Sequence, residues 1–151
     1  MWSRILWATD FSETAHHAGR TALTVANWCG AEIDVVTVIP APEDDLPPAL
    51  LSIMSTDELA KAEREMADEV EAEVRERLRV EAAFLFAAGR DAPLHVRSGI
   101  APTEIVALAG SVSADLIVLG ATGQRDPREV VFGSTVDNVA RHASCPVLVV
   151  R

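Results

Sequence analysis

Tyrosine is absent from the 151 residues, and aromatic side chains make up only 5% of them. Single-stranded nucleic acid is commonly held by stacking bases on aromatic platforms, so this scarcity argues against such a surface. Positive charge is also in deficit: 13 Lys and Arg stand against 23 Asp and Glu, for a net charge of -10. A field of that sign repels nucleic acid and anionic membrane alike. No apolar run approaches the roughly 18 residues that a membrane helix requires. The short run at 5–11 contains Asp10 and does not read as a signal peptide. Only two cysteines occur, Cys29 and Cys145, in neither a metal-binding nor a redox spacing, and they read as plain thiols in a reducing compartment. The expectation is a cytoplasmic protein with no nucleic-acid or membrane partner, built as one domain over 1–151.

What is present is an alternation of short apolar runs and helical patterns. Residues 5–8 form a run short enough for a strand buried on both faces. Ser12 reads as the N-cap of a helix with Glu13 in its first turn. Ala15, Ala18, Ala22, Val25, Ala26 and Cys29 then fall on one side, and Gly30 is a natural stop. Residues 33–39 are a second β-branched run, ended by Pro40. Residues 40–56 hold Pro40, Pro42, Pro47, Pro48 and the acidic cluster at 43–45, and read as a surface loop with a helical turn at 49–53.

From Asp57 a charged helix is expected, with Leu59, Ala62, Met66, Val70 and Val74 as its apolar stripe. Val80, Ala83, Phe84 and Ala87 continue a helical face, with Gly89 the firmest stop. Residues 94–98 read as a third strand. Pro102 suits the first turn of a helix carrying Ile105, Leu108, Ala109 and Val112. Residues 116–119 form a fourth strand and 120–132 a loop. Val136, Val139, Ala140 and Ala143 mark a last helix, and Val147 to Val150 a last strand. This order predicts an α/β fold: an open five-stranded parallel sheet, Rossmann-like, strand order 3-2-1-4-5, with helices on both faces. Ligands of such sheets bind beyond the C-terminal strand ends where the winding reverses, here between Asp10 and Gly120.

The most informative stretch is Gly120-Ala121-Thr122-Gly123, nine residues, then Gly133-Ser134-Thr135. It follows a buried strand and opens a helix. Glycines there allow positive φ and close approach of a ligand. Successive backbone N–H groups form a concave anion site, and the helix start aims its unpaired N–H groups and dipole at the same place. The hydroxyls of Ser134 and Thr135 add donors. Such a site takes polyphosphate without lysine, in keeping with the acidic balance. A plain glycine turn before a capped helix is the alternative that the motif alone leaves open.

Gly-x2-Gly-x9-Gly-Ser, followed by 136–140 and by Cys145-Pro146 with the last strand, resembles the C-terminal signature of the universal stress protein family. The opening at 4–12 resembles that family's first strand with its acidic residue, and 100–120 its third helix and fourth strand. The resemblance covers nearly the whole chain in element order, and the spaced glycines resemble the branch that binds ATP. It implies that Asp10 meets adenine or ribose and that Val38 lines the adenine pocket. It implies that Gly120 and Gly123 wrap ribose and phosphates, and that Gly133, Ser134 and Thr135 bind the phosphate tail. ATP (or AMP or ADP) with Mg2+ is the implied ligand, with magnesium held by phosphate oxygens. The family also implies a stress-response role, an unknown protein partner and a homodimer through Val147 to Val150. Thr122 stands where the family often has a basic or bulky polar residue, and Arg125 and Arg128 lie nearby. Trp7 replaces a smaller strand residue.

Asp10 as a phosphoacceptor is disfavoured: it lacks acidic neighbours, and 147–151 has no lysine. Adjacent His16 and His17 point apart on a helix and make a poor metal pair. No nucleophile with a matched base is visible. Three readings remain: a nucleotide-binding regulatory protein, a slow ATPase or autophosphorylating enzyme acting at Ser134 or Thr135, and a dimeric interaction module without nucleotide.

Overall fold

Both faces of the first strand are apolar, and both are covered. In a computed structural model that describes residues 1–41, 53–86, 90–122 and 133–151, β1 (Arg4–Ala8) places Ile5, Leu6 and Trp7 at 0% exposure. Successive strand residues point to opposite sides, so burying three in a row requires a layer on each face. β1 pairs in parallel with β2 (Glu32–Ile39) and with β4 (Leu116–Gly120). β3 (Leu94–Ser98) adds outside β2, and β5 (Val147–Val150) outside β4. The strand order is β3-β2-β1-β4-β5, as the alternation predicts.

Helix α1 (Glu13–Cys29) starts where Ser12 Oγ accepts from the Ala15 amide and stops at Gly30, which takes φ 68. That left-handed angle is one glycine adopts without penalty. α2 (Thr56–Leu85) opens on a capping box formed by Ser55 and Glu58. α3 (Ala101–Ser111) has proline in its first turn, and α4 (Ser134–His142) follows Gly133. α1 and α2 cover the face that carries Ile5, Trp7, Ile33, Val35, Leu116 and Val118. α3 and α4 cover the other, with Leu6, Ala8, Val36, Ile117 and Leu119.

Trp7 is accommodated on the first of these faces. Its indole N–H donates to the Ala15 carbonyl at 3.0 Å, and its ring meets Phe86 edge-on. The space comes from Gly19, where a Cβ would lie 2.6 Å from Trp7 Cζ2. Cys29 and Cys145 are free and half-buried. Among the described residues no helix is long and apolar enough to cross a membrane.

α2 departs from its expected pattern. Its buried residues are Leu78, Glu81, Ala82 and Leu85, all in the last two turns. Met66, Val70, Val80 and Phe84 are 60%, 44%, 55% and 77% exposed. The docked face runs through 78, 81, 82 and 85, so 80 and 84 turn to solvent. Leu59, Ala62 and Val74 are half-buried. Ala140 in α4 is likewise exposed, leaving Val136 and Val139 as that helix's buried contacts. The expected turn at 49–53, apart from Ile53, and the stop at Gly89 lie outside the described residues.

Candidate functional site

The winding reverses between β1 and β4. β1 leads into α1 on one face and β4 leads to α4 on the other, which makes their adjacent C-terminal ends the switch point where sheets wound this way form their ligand crevice. Ala8 is in register with Val36 on one side and Leu119 on the other. Thr9 continues this ladder, and Asp10 follows it into the turn at the strand's tip.

The turn after β1 is held at every residue. Thr9 N–H extends the ladder to the Val36 carbonyl at 2.9 Å. Asp10 is exposed, and its Oδ1 accepts from the Ser12 amide at 3.0 Å. Phe11 takes φ 65, a left-handed angle uncommon outside glycine, and its N–H donates to Thr9 Oγ1 at 3.1 Å. The Thr14 hydroxyl donates to the Thr122 carbonyl, which ties the start of α1 to the segment after β4.

Gly120 serves this junction by what it lacks. A Cβ there would lie 2.7 Å from the Thr14 carbonyl carbon and 2.8 Å from the Ala15 nitrogen. Its missing side chain lets α1 start against the end of β4. The positive φ expected of the motif glycines is not used at Gly120 or Gly133: among the described residues, glycines with positive φ are Gly30 and Gly99. Gly133 has φ -56.

On the far side of the crevice, the Ala121 amide donates to the Val150 carbonyl at 2.7 Å, and the Gly133 amide to the Ala121 carbonyl at 3.1 Å. The two ends of the 120–133 segment thus meet above β4. Gly133 occupies the N-cap of α4, and no side chain caps that end. The first amides of α4 therefore lack the usual Ser, Thr, Asp or Asn acceptor. Ser134 is exposed and Thr135 half-buried at the same end. Gly123, Arg125 and Arg128 lie outside the described residues.

Val38 borders an apolar cleft of about 290 Å³ with Pro40, Ala41, Gly99, Ile100 and Ala101. At its edge the Gly99 amide donates to the Ile39 carbonyl at 2.9 Å before α3 begins. A larger depression of about 440 Å³, lined by Ser3, Arg4, Gly30, Glu32, Val112 and Ser113, lies at the opposite edge of the sheet. There Arg4 is already engaged by Glu32, Asp34 and the Val112 carbonyl.

Around the turn, the sequence reading missed Glu81 and Arg77 and gave no role to Thr9, while His16, read there as a poor metal ligand, is half-buried. The Thr9 hydroxyl donates to Glu81 Oε1 at 3.0 Å, and His16 Nδ1 lies 3.3 Å from the same oxygen. The Arg77 guanidinium stands 4.2 Å above the Phe11 ring centroid. Burial pushes the Glu81 carboxyl above its ordinary value; His16, Thr9 and Arg77 pull it down, and Asp10 raises it. The available signal was a lone carboxylate among Leu78, Ala82 and Leu85 at helical spacing.

The fold defines a doubly wound α/β protein with a helix start that no side chain caps at its switch point. The universal stress protein family matches residues 1–151. The chain belongs to that family. It is 27% identical to Universal stress protein MJ0577 of Methanocaldococcus jannaschii, covering 100% of this chain and 96% of that protein. The solved structure of MJ0577 superposes with a TM-score of 0.80, covering 99% of this chain and 96% of that one. A universal stress protein in complex with cAMP shares the fold at TM-score 0.70 and 24% identity, with coverage of 99% and 97%. One from Archaeoglobus fulgidus in complex with dAMP shares it at TM-score 0.62 and 21% identity, with coverage of 100% and 98%.

Proposed function

We propose that the chain is a cytoplasmic regulatory protein of the stress response that binds an adenine nucleotide, ATP foremost, and whose occupied surface is read by a protein partner. The observation that carries this is the side-chain-free N-cap at Gly133, bonded to Ala121 across the crevice from Asp10. Backbone amides at a helix start favour phosphate, and the chain's net charge of -10 supplies no competing basic surface. Relatives of the same fold solved with cAMP and dAMP add support for the adenine nucleotide class.

In this reading the purine enters the apolar cleft at Val38, and Asp10 meets the ribose or base. Gly120, Gly123, Gly133, Ser134 and Thr135 hold the phosphates with main-chain amides and hydroxyls. Among the described residues, no group of three or more His, Cys, Asp or Glu can hold a metal. In this reading magnesium comes with the phosphate oxygens, which it prefers to an all-protein cage.

The test is titration calorimetry with ATP and mass analysis of nucleotide released from gently purified protein. Gly133→Val is compatible with φ -56, and its side chain would crowd the phosphate path in this reading. Its expected effect is loss of ATP binding with the fold retained by circular dichroism, at a modestly lower Tm because valine caps a helix less well than glycine. Ser134→Ala removes one hydroxyl donor and weakens ATP by about tenfold. ATP binding by Gly133→Val at wild-type affinity overturns this site. A homodimer through the outer edge of β5 belongs to the same reading.

A further inference from the structure

Among the described residues near the candidate site, Glu81 is a buried carboxylate on an otherwise apolar face of α2. It lies on the buried face of α2 with Leu78, Ala82 and Leu85, which pack into the core. Its Oε1 is satisfied by Thr9, while its Oε2 has no hydrogen-bond partner among the described residues. An orphaned buried carboxylate oxygen is costly.

The same group is joined by a short relay to the turn that presents Asp10. Thr9 Oγ1 donates to Glu81 and accepts from the Phe11 amide, so one hydroxyl fixes both its own rotamer and the left-handed Phe11. Arg77, one turn before Glu81 on α2, clamps the Phe11 ring from outside. The Ser12 amide that Asp10 Oδ1 accepts follows directly. We propose that Glu81 is a positioning residue for the nucleotide site: through Thr9 it holds the Phe11 turn that presents Asp10, tying affinity at the switch point to the seating of the end of α2. The proposal rests on the nucleotide reading above.

The groups that bear on Glu81 are His16 from α1, Arg77 from α2, and Thr9 and Asp10 from the turn. His16 and Arg77 favour its anion; Asp10 and burial oppose it. A role limited to packing would be met, or improved, by an apolar residue. A positioning role separates stability from affinity.

The experiment measures ATP affinity, Tm and amide exchange for wild type, Glu81→Gln, Glu81→Leu, Thr9→Val and the Thr9→Val/Glu81→Leu double variant. Glu81→Leu removes the acceptor but suits the apolar face. It keeps or raises Tm, lowers ATP affinity by about tenfold, and speeds exchange of the Phe11 amide. Thr9→Val does the same to affinity and exchange, and the double variant is no worse than either single one, because both cut one relay. Glu81→Gln keeps an acceptor for Thr9 and loses the titration. Its affinity stays within about threefold of wild type, and the part of the pH profile that lies above the ordinary carboxylate range flattens. Wild-type affinity and Phe11 exchange in Glu81→Leu and Thr9→Val overturn the positioning role and leave the nucleotide reading standing. A wild type that binds no ATP fails the nucleotide reading first, and this proposal with it.

Discussion

Single atoms decide several features of the crevice. At Gly120 the neighbours of an added Cβ include backbone atoms of Thr14 and Ala15, which cannot rotate away, besides the Thr14 hydroxyl. Gly120→Ala is expected to destabilise by about 1–3 kcal/mol, the usual cost of overpacking, although alanine restricts the unfolded chain more than glycine does. Urea unfolding checks this, and a midpoint at or above wild type contradicts the close approach of α1 to β4. At Glu81 the sign is set by burial. Its carboxyl titrates above the ordinary 4.5, so the folded state holds the proton to higher pH than the unfolded chain. Its contribution to stability is therefore greatest below the unfolded value and falls as pH rises through the window up to the raised one. Glu81→Gln is expected to melt a few degrees above wild type near neutral pH, with the gap closing as the solution is acidified. A gap that widens toward acid reverses the sign and argues that the ion pair with His16 dominates.

Elements were legible where one face settles them. α1 has alanines at helical spacing between a Ser cap and a left-handed glycine, and local chemistry sets both ends. The strands are short apolar runs, and the structure lengthens β1, β2 and β4 by one residue each. α2 was legible as a helix but not as a surface. Its 30 residues carry apolar side chains on more than one side, and only docking of its last two turns selects which are covered. Glu81 was hidden for the same reason: within a Glu-rich helix, its burial depends on a register that only tertiary contact fixes. The consequence is a contrast within one helix. Met66→Lys, at 60% exposure, is expected to change stability by under about 0.5 kcal/mol. Leu78→Ala, at 0% exposure, is expected to cost about 2–5 kcal/mol. Chemical denaturation of both variants checks the docking of α2, and a large loss from Met66→Lys shows that its stripe is covered.

At the scale of the molecule, the winding order followed from alternation and right-handed crossovers, which leave few ways to bury five apolar strands. It places Asp10, Val38, Gly120, Gly133 and Ser134 along one edge of the sheet, while the turn that orients Asp10 came into view only with α2 in place. The order also leaves β5 as an edge, with Val147 to Val150 half-buried in the single chain. The Ile117 amide donates to the Pro146 carbonyl and the Ala121 amide to the Val150 carbonyl, so even-numbered β5 residues face β4. The main-chain groups of Val147 and Val149 then face outward. An apolar edge whose outward main-chain groups meet no strand among the described residues invites one from a second copy. Proline is tolerated on an edge strand when its missing N–H faces outward. Val149→Pro is therefore expected to keep the fold and its β4 ladder while removing a donor from the proposed dimer. Sedimentation of wild type as a dimer and of Val149→Pro as a folded monomer supports pairing through β5. A wild-type monomer removes that interface, and a dimer indifferent to the proline moves it to another surface.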